Sequence, residues 1–292
     1  MQRFFRTRLG SFVLFIIFAI AANVVAGGVG YLIVNVLKLV DERDPTWHPT
    51  LFVWAESITA LGALAATILV MQLSGRSFSD LGLSPAKLWR RLAAGSVWGF
   101  VMPTMLILAI FALGGFRFGS VAMSGMQLAT YFFAWLGVMF LLGFAEEAVF
   151  RGPALTLLRD SIGFWPAAIV TSALFVVAHM DKPHENAIDL TSIGLIGLFL
   201  CFTVQRTGSI WWAVGFHALF DYAALYLYGA PNSGNNGGQP LPTRLLTGGF
   251  HGPDWLTGGR LGIEASALVF PLLALVWFAF DRMSRTQQEE EK

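Results

Sequence analysis

Apolar runs long enough to cross a bilayer recur along the chain, separated by short stretches in which charge, proline and glycine collect. A hydrocarbon core about 30 Å thick needs about 20 apolar residues of helix. By that measure Phe12 to Val40, Thr50 to Leu73, Ala94 to Leu113, Leu128 to near Leu158, Gly163 to Met180, Leu190 to Val204, Ser209 to Tyr228 and Glu264 to Phe280 are spans. Pro103 should bend the third, and Gly152-Pro153 should kink the fourth. Between the second and third spans, Leu81, Leu83, Leu88, Trp89 and Leu92 interleave with Arg76, Lys87, Arg90 and Arg91, which suits a helix lying at headgroup level. The polar links Asp41 to Pro49 and Asp181 to Asp189 connect spans. Residues 229–260, rich in Gly, Pro and Asn, read as an extramembrane loop, and 281–292 as a charged tail. The predicted fold is all-α, a polytopic membrane helix bundle of about eight transmembrane helices forming one membrane domain over residues 1–292.

Composition sharpens this picture. The chain is 55% hydrophobic and 13% charged, with a mean hydropathy of +0.64, where a soluble domain carries roughly 25% charged residues. It is therefore expected to be an integral, multi-pass membrane protein, placed in the plasma (inner) membrane. A net charge of +1 without a dense basic stripe argues against a nucleic-acid partner. An even number of spans puts both termini on one side, and 13 of the 19 Lys and Arg residues then fall on that side, which predicts cytoplasmic termini. Arg3, Arg6 and Arg8 followed by Ala19-Ile20-Ala21 resemble a cleavable leader, but the apolar run continues past Ala21 and reads as a span. Cys201 stands alone, which excludes an intrachain disulfide and a CxxC site, and its apolar setting predicts core packing. Oligomeric state leaves no mark in the sequence.

The candidate chemistry centres on Phe144-Ala145-Glu146-Glu147-Ala148-Val149-Phe150-Arg151, where charge stands at the end of an apolar run. Ionisable groups within a span cost several kcal/mol in order of magnitude and usually face a protein interior or wet cavity. On a helix Glu147 and Arg151 share a face and can pair, while Glu146 points about 100° away and stays available. Phe175 stands one turn before His179 on the fifth span, and His217 one turn before Asp221 on the seventh. There the carboxylate can orient the imidazole. Counting about 1.5 Å per residue inward from Arg159 and Arg206, with the fourth helix unbroken, places Glu146, His179, His217 and Asp221 within about 12 Å in depth. Glu56, in the second span, could serve the site, but reaching the nearby interface is the favoured expectation.

A carboxylate beside a histidine in a water-restricted cavity can take a proton from water, and a second histidine can stabilise the oxyanion formed on an attacked amide. That is peptide hydrolysis without a covalent intermediate and without a cofactor. Glu146, Glu147, His179 and His217 are also the donor types that hold zinc, although no HExxH is present.

Taken in order on successive spans, Glu146-Glu147-x-x-x-Arg151, Phe175-x-x-x-His179 and His217-x-x-x-Asp221 resemble the CPBP intramembrane endopeptidases. That family, also called ABI, includes the type II CAAX prenyl proteases and the bacteriocin-processing or self-immunity proteins. The similarity covers about residues 76–228, which would be the catalytic core. It implies Glu146 as general base, His179 helping to hold the water, His217 and Asp221 at the oxyanion-stabilising positions, and Glu147, Arg151 and Phe175 supporting the site. Many members have asparagine at the position of Asp221; an ionised aspartate would repel an oxyanion, so here it must be protonated or orient His217. The partners implied are the lipid bilayer and a membrane-associated or lipid-modified peptide substrate. Competing expectations are a non-catalytic scaffold or immunity protein using the same cavity, and a proton-coupled carrier.

Overall fold

The computed structural model describes residues 2–39, 48–180, 186–231 and 238–290, with side chains of the last helix described to residue 286. Val40, most of both polar links, part of the 229–260 loop and the end of the tail lie outside the described residues. The helices are α1 (Gln2–Phe5), α2 (Arg8–Tyr31), α3 (Pro49–Ser74), α4 (Leu88–Ala112), α5 (Gly125–Phe150), α6 (Pro153–Ile162), α7 (Phe164–His179), α8 (Ala187–Thr207), α9 (Trp211–Asp221), α10 (Asp254–Thr257) and α11 (Val269–Glu290). α2 and α9 continue as π-helical turns, Leu32–Val36 and Tyr222–Leu227. The fold is thus a polytopic helical bundle, and the described strands are β1 (Phe116–Arg117) and β2 (Gly249–Phe250), paired antiparallel outside the helices.

Five segments among the described residues are long and apolar enough to cross a membrane: Arg8–Val36, Pro49–Ser74, Leu88–Ala112, Gly125–Ile162 and Ala187–Thr207. The other predicted spans are helical but differ from expectation. α7 has 16 residues, α9 is prolonged only by its π turn, and α11 begins at Val269 because Ile263–Ala265 forms a separate 3-10 turn. The headgroup-level helix before α4 is replaced by turns. A 3-10 turn at Ser79–Leu81 ends at Gly82 (φ 80°), and Lys87 (φ 56°) caps α4 in the left-handed region, so two left-handed residues interrupt any continuous helix there.

The fourth span breaks where Gly152-Pro153 predicted a kink. Pro153 has no N–H to donate to an α-helical ladder and is instead the first residue of α6. The N–H groups of Arg151 and Gly152 both donate to the Glu147 carbonyl at 2.9 Å, closing α5.

The tightest crossing is between α4 and α9, and glycine makes it. A Cβ at Gly95 would stand 2.0 Å from the Trp212 carbonyl oxygen, one at Gly99 2.1 Å from the Phe216 oxygen, and one at Gly215 2.2 Å from the Leu92 oxygen. Gly95 and Gly99 are spaced as a GxxxG pair, which lets two backbones approach. Gly95→Ala is therefore expected to lower stability by about 1–3 kcal/mol through overpacking. Gly137→Ala on α5, where a Cβ meets nothing within 4 Å, should leave stability unchanged or raise it by up to about 1 kcal/mol. Thermal unfolding of both purified variants in one detergent checks the contrast.

Candidate active site

α5 delivers adjacent carboxylates to different places, as a 100° step between neighbours requires. Glu147 is completely buried and accepts a 2.9 Å bond from Arg151 Nη1, itself completely buried. Glu146 keeps 22% of its side chain exposed and lines a cavity of about 510 Å³. The closing turn of α5 brings Arg151 back beneath Glu147, so the cation that balances the buried acid comes from the same helix end.

α9 places His217 against this pair. Its Nδ1 lies 2.9 Å from Glu147 Oε1, the oxygen that also binds Arg151. Because that oxygen is engaged as an acceptor by Arg151, Nδ1 donates, and a buried chain Arg151–Glu147–His217 results. Close approach of α5 to α9 comes from Gly143, where a Cβ would stand 3.1 Å from the Val214 oxygen and the Ala218 nitrogen. The other ring nitrogen, Nε2, faces the cavity, 3.7 Å from Glu146 Oε2 and 3.5 Å from Asp221 Oδ2. Asp221 thus lies near His217, as its spacing implies, but the acid holding the ring at Nδ1 is Glu147. Spacing along one helix could not reveal that partner, which comes from another helix.

α7 supplies Phe175 and His179. His179 Nδ1 is 2.8 Å from the Phe175 carbonyl oxygen; a carbonyl only accepts, so Nδ1 carries the proton and Nε2 of the neutral ring bears the lone pair. The Phe175 ring lies tilted against His179 at 4.4 Å, stands edge-on to His217 at 6.2 Å and lies 4.1 Å from the Arg151 guanidinium carbon. It walls both imidazoles and covers the buried cation with an aromatic face.

Glu146, Phe175, His179, His217 and Asp221 all line the same cavity, whereas Glu147 and Arg151 lie behind its wall. The break in the fourth span removes the unbroken helix on which the depth count relied, yet the groups still share one chamber. Two further carboxylates also line it, Glu56 from α3 and Glu264 from the 3-10 turn before α11. Glu56 therefore faces the chamber rather than the interface, because α3 packs along α5. Its position inside an apolar run was a signal for this; Glu264, at the edge of a predicted span, offered none. Among the described residues, no three His, Cys, Asp or Glu side chains are grouped to hold a metal ion. Glu147, one of the four donors considered for zinc, is also committed to Arg151 and His217 through one oxygen.

No match was found among curated proteins or among solved structures. Residues 128–223 match the family model described as type II CAAX prenyl endopeptidase Rce1-like, a protease family. That stretch begins within α5 and ends just past α9, so it includes the Glu146 pair, Arg151, Phe175, His179, His217 and Asp221 but neither Glu56 nor Glu264. Over residues 128–223 the chain is therefore similar to the Rce1-like type II CAAX prenyl endopeptidases, on a helical bundle in which five described segments are long and apolar enough to cross a membrane.

Proposed function

We propose that the protein is an intramembrane endopeptidase that hydrolyses a peptide bond of a membrane-associated or lipid-modified peptide, with Glu146 as general base and without a metal. The observation that carries this reading is the chamber itself, where Glu146, His179 and the Nε2 side of His217 converge while each imidazole has its Nδ1 anchored. A water in the chamber can donate one hydrogen bond to Glu146 and the other to Nε2 of His179, leaving an oxygen lone pair to attack the scissile carbonyl. Glu146 takes the water's proton during attack and returns it to the departing amide nitrogen, so the products are a free carboxylate and a free amine. His217 can offer Nε2–H to the oxyanion only when both ring nitrogens are protonated, since Nδ1–H already serves Glu147. Asp221, 3.5 Å from that Nε2, then holds the imidazolium in place rather than contacting the oxyanion. The distribution of lysine and arginine over the expected spans supports cytoplasmic termini.

The test is to compare peptide termini in membranes expressing the native chain or Glu146→Gln at equal levels. New termini that depend on Glu146 are expected; identical terminal profiles would refute proteolysis and favour a binding or immunity role for the chamber.

A further inference from the structure

One face of the chamber comes from two helices that lie outside residues 128–223. α2 contributes Ala22, Asn23 and Ala26, and α3 contributes Phe52, Glu56 and Thr59. The three α3 residues are four and three apart and share one side of the helix. Gly62 fastens the two helices at this place: a Cβ there would stand 2.6 Å from the Ala22 carbonyl oxygen and 3.0 Å from the Ala26 Cβ. Asn23, between those two alanines in sequence, is therefore carried by a close helix crossing. The face also lies near the reacting groups, since Glu56 interacts electrostatically with Glu146, His217 and Asp221.

An amide within the apolar helix Arg8–Val36 is unfavourable unless it meets protein or a wet cavity. Asn23 Nδ2 lies 2.9 Å from the Ala19 carbonyl oxygen, one turn back on the same helix. A carbonyl only accepts, so this contact fixes which way the amide points and engages one of its N–H groups. The second N–H and Oδ1 have no partner among the described residues, and the side chain is exposed and lines the chamber. Thr59 Oγ1 donates to the Ala55 carbonyl at 3.2 Å, which leaves its oxygen lone pairs. The α2–α3 face thus presents acceptors at Asn23, Glu56 and Thr59, and a donor at Asn23. Asn23 is also the one side-chain amide among the described lining residues.

An extended peptide brought into a water-poor chamber carries backbone N–H and C=O groups that cost free energy if left unmet. Glu146 and His179 serve the water and His217 the oxyanion, so the reacting groups answer one carbonyl and leave the flanking amides without partners. Resting on the reading of this chamber as a peptide site, we propose that the α2–α3 face is its main-chain clamp. Asn23 hydrogen-bonds a peptide unit beside the scissile bond through its free N–H and Oδ1, and Thr59 accepts from a further N–H. Such a clamp reads backbone rather than side chains. The substrate class is then an extended apolar segment, because a helical one has already used its amides internally.

Binding is measured on the full chain in a neutral detergent, in a Glu146→Gln background that removes cleavage. The probes are a fluorophore-labelled, N-acetylated and C-amidated leucine–alanine octapeptide and its N-methylated counterpart, which has the same side chains but no backbone N–H. The octapeptide is expected to bind about tenfold more tightly than the N-methylated peptide. Adding Asn23→Leu should weaken it by about tenfold and reduce that preference, and the isosteric Thr59→Val by about threefold, from the net strength of one or two hydrogen bonds. Unfolding temperature should hold in both variants, since each side chain bonds only within its own helix. No binding of the octapeptide, equal binding of the two peptides, or undiminished binding by Asn23→Leu would each overturn the proposal. Failure of the clamp and failure of proteolysis stay distinguishable: Asn23-dependent binding without Glu146-dependent termini refutes proteolysis and leaves the clamp standing.

Discussion

Glu146→Gln should lower kcat for cleavage of the identified substrate by about 10²–10⁴-fold, the usual contribution of a positioned general base, with no loss of thermal stability. Glutamine keeps the shape and volume of the side chain but cannot accept the water's proton. Stability is spared because Glu146 Oε2 makes no hydrogen bond among the described residues and stands 3.7 Å from His217 Nε2. Glu146→Asp withdraws the carboxylate by one methylene and should fall between the two, since proton transfer needs hydrogen-bond reach. His179→Ala removes the second acceptor for the same water, so joining it to Glu146→Gln should add little to the loss of either alone, as for residues that act as a unit. Single-turnover cleavage separates this from weakened binding. If Glu146→Gln cleaves at the native rate, the base lies elsewhere, and Glu56 on the same chamber wall is the first residue to replace.

The helices were legible in the sequence because each must hide its backbone polarity from lipid, so apolar length alone marks them. The motif residues were legible for a related reason: charge within an apolar run is unfavourable enough to stand out, as at Glu146 and Glu147. Neighbours along one helix, such as Glu147 with Arg151, follow from four-residue spacing. Contacts between helices do not. That His217 leans on Glu147, or that Glu56 faces Glu146's chamber, depends on which helices pack together, and a nearly all-apolar surface gives no amphipathic stripe to say so. The close α4–α9 crossing is of the same kind: Gly95 and Gly99 meet Trp212 and Phe216 on a helix far along the chain, a partner that no spacing within α4 names. The headgroup-level helix failed because leucines interleaved with arginines fit turns as readily as a helix, and Gly82 and Lys87 settle for the left-handed region.

Removing Arg151 should produce the largest loss of stability. Arg151→Leu leaves Glu147 charged and completely buried, and breaking a buried pair by deleting one partner costs about 3–5 kcal/mol. It also discards the guanidinium's contact with the Phe175 ring, 4.1 Å away, a contact that reaches about 2 kcal/mol when desolvated. Arg151→Lys should recover only part, because an ammonium lacks the planar face that lies against Phe175. The informative variant replaces both partners, Glu147→Met with Arg151→Met. No buried charge is then left alone, and apolar replacement of a buried pair is often neutral or stabilising, so unfolding temperature should return toward native. Activity should not return with it. His217 Nδ1 loses the carboxylate 2.9 Å away that fixes its tautomer and aims Nε2 into the chamber, a contribution that second-shell partners commonly make at 10–100-fold. Stability restored without activity assigns the pair to positioning His217. Activity restored along with stability would mean that the ring is aimed by Asp221 instead, 3.5 Å from Nε2, and that Glu147 and Arg151 only hold the end of α5 together.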